Sequence, residues 1–127
     1  MNFKIDTKEK FTVITPAGDH LSDNLTEELA NTAKELLHED KSNVVLNLKN
    51  VKTIGDEAAA KLVTLQQSFY ESNTSFVICE MQTSLEEKLE ELDLLELMNV
   101  TPSESEAWDI VQMEEIEREL LDGDKTE

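Results

Sequence analysis

The stretch from Asn43 to Leu65 constrains the fold more than any other part of the chain. It opens with an apolar run, VVLNL at residues 44–48, of the kind that forms a buried strand. A polar turn follows, in which Gly55 permits a sharp bend of the backbone. An alanine-rich segment then begins at Asp56 and Glu57, and its apolar residues recur with helical spacing, at Ala58, Leu62, Leu65 and Phe69. This order predicts a strand, a tight turn and a helix whose N-terminus is exposed.

The N-terminus of that helix is a candidate binding position. Its unpaired N–H groups and the positive end of the helix dipole favour an anion. In this chain the carboxylates of Asp56 and Glu57 are predicted to occupy that position themselves.

The remaining elements are read from alternation, helical periodicity and capping residues. Alternating residues predict a hairpin from strands at 2–6 and 11–15, and apolar runs predict strands at 75–80 and 97–100. A first helix is capped within Ser22–Asn24, and capping boxes pair Thr83 with Glu86 and Ser103 with Glu106. The last helix is expected to run to about Leu121. The element order is therefore β-β-α-β-α-β-α-β-α.

This order predicts a single α/β domain with a mixed, mostly parallel sheet of about five strands. Right-handed crossovers that step in one direction place their helices chiefly on one face of the sheet. Val44, Leu46 and Leu48 should face those helices, leaving Val45 and Asn47 on the other side. We expect that other face to be partly open, and an open face or edge invites a partner or a second copy of the chain.

The charge of the chain excludes some partners. The formal net charge is −18, and residues 56–100 and 101–127 contribute −8 each, against −2 from residues 1–55. Such a field repels phosphate backbones and anionic lipid, so we expect neither nucleic-acid binding nor membrane insertion. The single cysteine, Cys79, lies in an apolar run, which favours a reducing, cytoplasmic compartment.

Candidates for catalysis or metal binding are few. His20 and His38 are separated by a predicted helix, and neither has a neighbouring cysteine at ligand spacing, so no metal, cofactor or enzymatic activity is predicted. We expect Cys79 and Trp108 to pack in the core. The acidic run of the third helix is interpreted as its solvated face; it comprises Glu86, Glu87, Glu90, Glu91, Asp93 and Glu96.

The chain resembles the STAS domain family, which includes the anti-sigma factor antagonists. The resemblance covers residues 2–112 and rests on the element order together with three segments: ITPAGDHL, VVLNLKNVKTI, and FVICEMQTSLEEKLEELDLLELMNVTPSESEAWDIV. It implies a STAS-like domain over residues 1–114, followed by an acidic helix end and tail over residues 115–127.

The resemblance also places a partner-binding turn at Thr53, Gly55, Asp56, Glu57 and Ala58. In the antagonists this turn typically reads Asp-Ser-Ser/Thr-Gly-Leu, and a partner kinase, itself the anti-sigma factor, phosphorylates the first hydroxyl residue. Aligning the strands puts Gly55 at the leading aspartate and Asp56 at the phosphoacceptor, so the hydroxyl is missing. Asp56 then either imitates the phosphorylated form or serves only as the N-cap of its helix.

Two functions follow from the resemblance. The first is a non-catalytic regulatory module, similar to an anti-sigma factor antagonist, that binds a kinase-like partner through this turn. The alternative is a structural STAS subunit of a transporter ATPase or a stress-signalling assembly.

The end of the chain suggests a further contact. Helical spacing places Ile110, Met113, either Ile116 or Glu117, and Leu120 along one side of the last helix. We expect Ile110 and Met113 to pack on the domain. The apolar residues beyond them, including Leu121, should be covered by a second subunit, as in a homodimer, or by the domain's own open surface.

Overall fold

The computed structural model describes residues 3–37 and 43–125, with side chains up to residue 120. This part of the chain forms seven strands and four α-helices. The strands are β1 (Phe3–Thr7), β2 (Thr12–Pro16), β3 (His20–Leu21), β4 (Val44–Asn47), β5 (Thr53–Ile54), β6 (Phe76–Cys79) and β7 (Val100–Thr101). The helices are α1 (Asp23–Leu36), α2 (Asp56–Glu71), α3 (Thr83–Glu91) and α4 (Glu104–Lys125).

Five of the strands form one mixed sheet in the order β1-β2-β4-β6-β7. β1 runs antiparallel to β2, and the other neighbours are parallel, so the central strand β4 is paired on both sides. Burial on both faces explains why residues 44–46 of β4 and all of β6 form continuous apolar runs rather than alternating ones. The predicted α/β fold with a mostly parallel five-stranded sheet is confirmed.

One face of the sheet carries three helices. Ile14, Leu46 and Ile78 project from β2, β4 and β6 into a core that includes Leu29 of α1, Leu62 of α2 and Leu85 of α3, and all six side chains are fully buried. The prediction that helices lie chiefly on one face is confirmed.

The fourth helix, α4, covers the centre of the other face. Val45, Val77 and Cys79 pack there against Ala107 and Val111, and all five are fully buried. The expectation that this face stays partly open is therefore wrong at its centre, because the chain crosses back over the sheet after its edge strand β7.

The contact face of α4 differs from the predicted one. Ile110 packs on the domain as predicted, but Met113 is 56% exposed, as are Ile116 (55%) and Leu120 (65%). Ala107 and Val111, four residues apart, define the buried side, and a residue two positions beyond Val111 points away from it. The domain's own surface therefore does not cover these three apolar side chains.

Two of the three predicted helix caps are confirmed. Ser22 caps α1 and Ser103 caps α4, each accepting from an N–H three residues on, as predicted. Thr83 does not cap α3: Gln82 stands at the N-cap and makes no side-chain bond there. The strand predicted at 97–100 is a 3-10 turn at Leu95–Leu97 followed by β7.

Within residues 3–37 and 43–125, no helix has the length and apolar character needed to cross a lipid bilayer.

Candidate partner-binding turn

A small parallel sheet, made of β3 and β5, builds the turn that follows β4. Its register pairs His20 with Thr53 and Leu21 with Ile54. Leu21 and Ile54 are buried and anchor the turn, whereas His20 and Thr53 are exposed on the other side. A hydrogen bond of 2.7 Å joins His20 Nδ1 to Thr53 Oγ1. The sequence predicted neither short strand, because a two-residue strand has no periodicity to read.

The N-terminus of α2 is capped from another helix. Gly55 is its N-cap residue and offers no side-chain acceptor. Instead, the N–H of Ala58 donates to Oδ1 of Asp23, at the start of α1, over 2.8 Å. The alternative in which Asp56 serves only as the N-cap is therefore wrong, because Gly55 holds that position. Asp56 and Glu57 lie in the first turn of α2, as predicted, and the carboxylate of Asp23 also accepts at that helix end.

Gly55 leaves room for this cross-helix cap. A Cβ atom at position 55 would lie 2.6 Å from Asp23 Oδ1, closer than nonbonded atoms approach. The φ angle of Gly55 is −71°, which any residue can adopt, so space rather than backbone conformation favours glycine here.

Asp56 is the first residue of α2 and points into solvent. Its side chain is 71% exposed, and its Oδ1 lies 3.0 Å from Nζ of Lys88 on α3. An exposed ion pair of this kind contributes little to stability, roughly 0 to 1 kcal/mol. The carboxylate of Asp56 is therefore accessible to a partner and is held near α3 by one cation.

The five predicted residues share one short segment but differ in exposure. Thr53, Asp56 and Glu57 are exposed, Gly55 is partly buried, and the side chain of Ala58 is buried. Ala58 therefore contributes its N–H rather than its side chain. Sequence reasoning missed His20, Asp23 and Lys88, which the fold brings to this segment. Asp23 was recognised only as part of the cap region of its own helix.

The other candidate residues, Cys79 and Trp108, differ in burial. Cys79 is fully buried on β6, and burial, with the carboxylates of Glu80 and Glu104, raises its pKa to about 12. Trp108 was predicted to be a core residue, but it is 42% exposed because it lies beside Ala107, which takes the buried position. His38 lies outside the described residues. Within those residues, no cluster of three or more His, Cys, Asp or Glu side chains could hold a metal ion.

Comparison with known proteins agrees with the fold. The family model of the STAS domain matches residues 2–107. Among solved structures, an anti-sigma-factor antagonist (STAS) domain protein from Planctomyces limnophilus is 18% identical, with a TM-score of 0.73 over 87% of this chain and 97% of that one. The phosphorylated form of the Bacillus cell fate determinant SpoIIAA is 12% identical, with a TM-score of 0.63 over 86% of this chain and 98% of that one.

A transporter contains a similar fold. The murine anion transporter solute carrier 26 family member A9 is 11% identical, with a TM-score of 0.68 over 85% of this chain but only 18% of that chain. A search of curated protein sequences gave no match. The family match spans most of the chain, so this protein belongs to the STAS domain family, and its solved neighbours include anti-sigma factor antagonists.

Proposed function

We propose that this chain is a non-catalytic regulatory module that binds a protein partner through the surface around Thr53–Ala60. The partner that we propose first is a kinase-like anti-sigma factor in the cytoplasm. The observation that carries the proposal is the exposed carboxylate of Asp56 at the first residue of α2. The resemblance to the antagonists implies that this residue stands at their phosphoacceptor position.

The turn carries negative charge without phosphorylation by a kinase. A phosphoserine would carry about −1.5 to −2 charges at neutral pH, and Asp56 carries one permanent charge. Asp23 occupies the helix N-terminus beside it with a second carboxylate. Asp56 therefore places a constant negative charge where the antagonists switch theirs, which favours a partner interaction fixed in one state.

Exchange of Asp56 tests whether the turn binds. The native partner is isolated with tagged protein and identified by mass spectrometry, and its affinity is then measured for Asp56→Ser and for Glu71→Ser. Glu71 is an exposed acid at the opposite end of α2 and is the matched control. Asp56→Ser should change the affinity by about 1 kcal/mol or more, whereas Glu71→Ser should not. Equal affinities for wild type and Asp56→Ser would refute binding through Asp56.

Phosphorylation gives a second test of the same turn. The native chain should carry no phosphate there, because Asp56 has no hydroxyl and that of Thr53 is hydrogen-bonded to His20. Intact-mass measurement and peptide mapping of protein from the native cell check this expectation. Asp56→Ser restores a hydroxyl at the acceptor position and serves as the positive control when the partner is a kinase. High phosphate occupancy on Thr53 would contradict the proposal.

A further inference from the structure

The outer side of α4 carries an apolar seam with the spacing of a coiled coil. Met113, Ile116 and Leu120 are separated by three and four residues, which places all three on one side of the helix. Each is more than half exposed. Single exposed apolar residues are common on protein surfaces, but three aligned ones indicate a contact surface.

The residues beside the seam are acidic. If Met113 and Leu120 take heptad position a and Ile116 position d, Glu117 falls at position e and Glu119 at position g. Both glutamates are exposed. These two positions set partner choice in coiled coils, because they face charged residues of the second helix.

The nearest basic residue of α4 is turned the other way. Arg118 points toward the sheet, where Nη1 lies 3.2 Å from Ser75 Oγ and Nη2 lies 3.4 Å from Asn43 Oδ1. Among the α4 side chains that the structure describes, the outer side is therefore apolar along its centre and negative at its margins.

We propose that this seam binds an amphipathic helix of a different protein, one that carries lysine or arginine beside its own apolar stripe. A second copy packed antiparallel would bring Glu117 against Glu117 and Glu119 against Glu119 of its partner, because position e faces e and position g faces g in that orientation. Like charges facing each other disfavour that pairing. A basic helix instead matches both the apolar centre and the negative margins. The seam lies on α4, across the sheet from α1–α3, so this inference does not depend on binding through the Thr53–Ala60 turn.

Synthetic peptides provide a direct test. One fluorescent peptide of three heptads carries Ile at a, Leu at d and Lys at e and g. A second replaces those lysines with glutamates, and a third scrambles the lysine peptide. Fluorescence anisotropy with the full chain should show binding of the ordered lysine peptide only.

Two sets of variants separate the seam from general attraction to an acidic protein. Met113→Gln, Ile116→Gln and Leu120→Gln together keep the charge and use a good helix former, and should weaken peptide binding by about tenfold or more. Ile5→Gln with Leu97→Gln removes exposed apolar groups elsewhere and should leave binding unchanged. Glu117→Gln with Glu119→Gln should weaken binding about threefold, and Glu86→Gln with Glu87→Gln, which makes the same charge change on α3, should not.

Circular dichroism and thermal melting verify that each variant keeps the wild-type fold. Equal binding of the lysine peptide by wild type and the triple variant would overturn the proposal, as would absence of binding. Sedimentation of the chain alone tests whether a second copy of this chain occupies the seam instead. A wild-type dimer that the triple variant abolishes would assign the seam to a second copy and overturn the inference.

Discussion

At the scale of single residues, Asp23 and Gly55 act as a pair. The carboxylate of Asp23 satisfies an N–H at the start of α2, and Gly55 leaves the space that this carboxylate occupies. The contact joins the start of α1 to the start of α2, and thereby fixes the segment in which Asp56 is presented. A residue far from the turn in sequence thus belongs to its structure.

Replacing either Asp23 or Gly55 should abolish the same capping contact at the start of α2. Asp23→Ala deletes the acceptor, and Gly55→Ala displaces it, so each should lower the free energy of unfolding by about 1–2 kcal/mol. The double variant should cost clearly less than the sum, because Gly55→Ala has nothing to displace once Asp23 is gone. Urea denaturation of the four proteins in this cycle measures the coupling. Strict additivity would show that the two residues act independently.

The buried thiol of Cys79 should make the stability of the protein depend on pH in the alkaline range. Its pKa rises from 9.0 to about 12 on burial, so the folded protein keeps the thiol proton while the unfolded chain loses it. Stability should therefore fall as pH rises from about 9 towards 12, by up to about 1.4 kcal/mol per pH unit from this group. Cys79→Ala should show a shallower fall than wild type in urea denaturation over this range. Parallel pH profiles for the two proteins would contradict the assignment.

At the scale of elements, α4 is attached by two different kinds of contact. Its first half packs Ala107 and Val111 on the sheet, and its second half makes polar contacts. Glu115 accepts from Asn43 Nδ2 over 3.0 Å, and Arg118 reaches Ser75, the residue before β6. Contacts to the domain therefore continue beyond residue 114, where the resemblance places the end of the STAS-like part.

Truncation separates these polar contacts from the rest of the tail. Deleting residues 115–127 removes the bonds from Glu115 and Arg118, and should lower the free energy of unfolding by about 1–3 kcal/mol. A chain that ends at Leu120 keeps both residues and should melt within a few degrees of wild type. Thermal unfolding followed by circular dichroism compares the three proteins. If the longer deletion melts like wild type, the second half of α4 contributes nothing to the fold.

At the scale of the whole molecule, acidic charge is concentrated in the later helices. The chain has 29 acids against 11 bases, and the structure describes four ion pairs, involving Lys8, Lys10, Lys61 and Lys88. All four lie at the surface, where such pairs contribute little. Most carboxylates are therefore unpaired among the described residues, and mutual repulsion works against the compact state.

Screening by salt should stabilise this protein. Raising sodium chloride from about 0.01 M to about 0.15 M shortens the Debye length from about 30 Å to about 8 Å. The repulsion between helices that carry like charge falls accordingly, and the melting temperature at neutral pH should rise. Calorimetry at several salt concentrations measures the trend. A melting temperature that falls with salt would show that the surface ion pairs outweigh the repulsion.

The sequence by itself determined the main elements and their order. Val44–Leu48 and the helical spacing from Ala58 to Phe69 are local patterns, and local patterns can be read without knowing the fold. Ser22 and Ser103 were recognised as caps for the same reason. The turn around Asp56 was also predicted from sequence as a candidate binding position, through the resemblance to the STAS family.

Tertiary structure alone decided which groups meet at the turn and which side of α4 is buried. Asp23 caps α2 across 35 positions of sequence, and Lys88 reaches Asp56 from a third helix. Met113 lies outside the contact because α4 rests on the sheet through Ala107 and Val111. Such contacts depend on how distant segments are placed against one another. A local pattern carries no information on that placement, since the same helix can present a different side to the sheet.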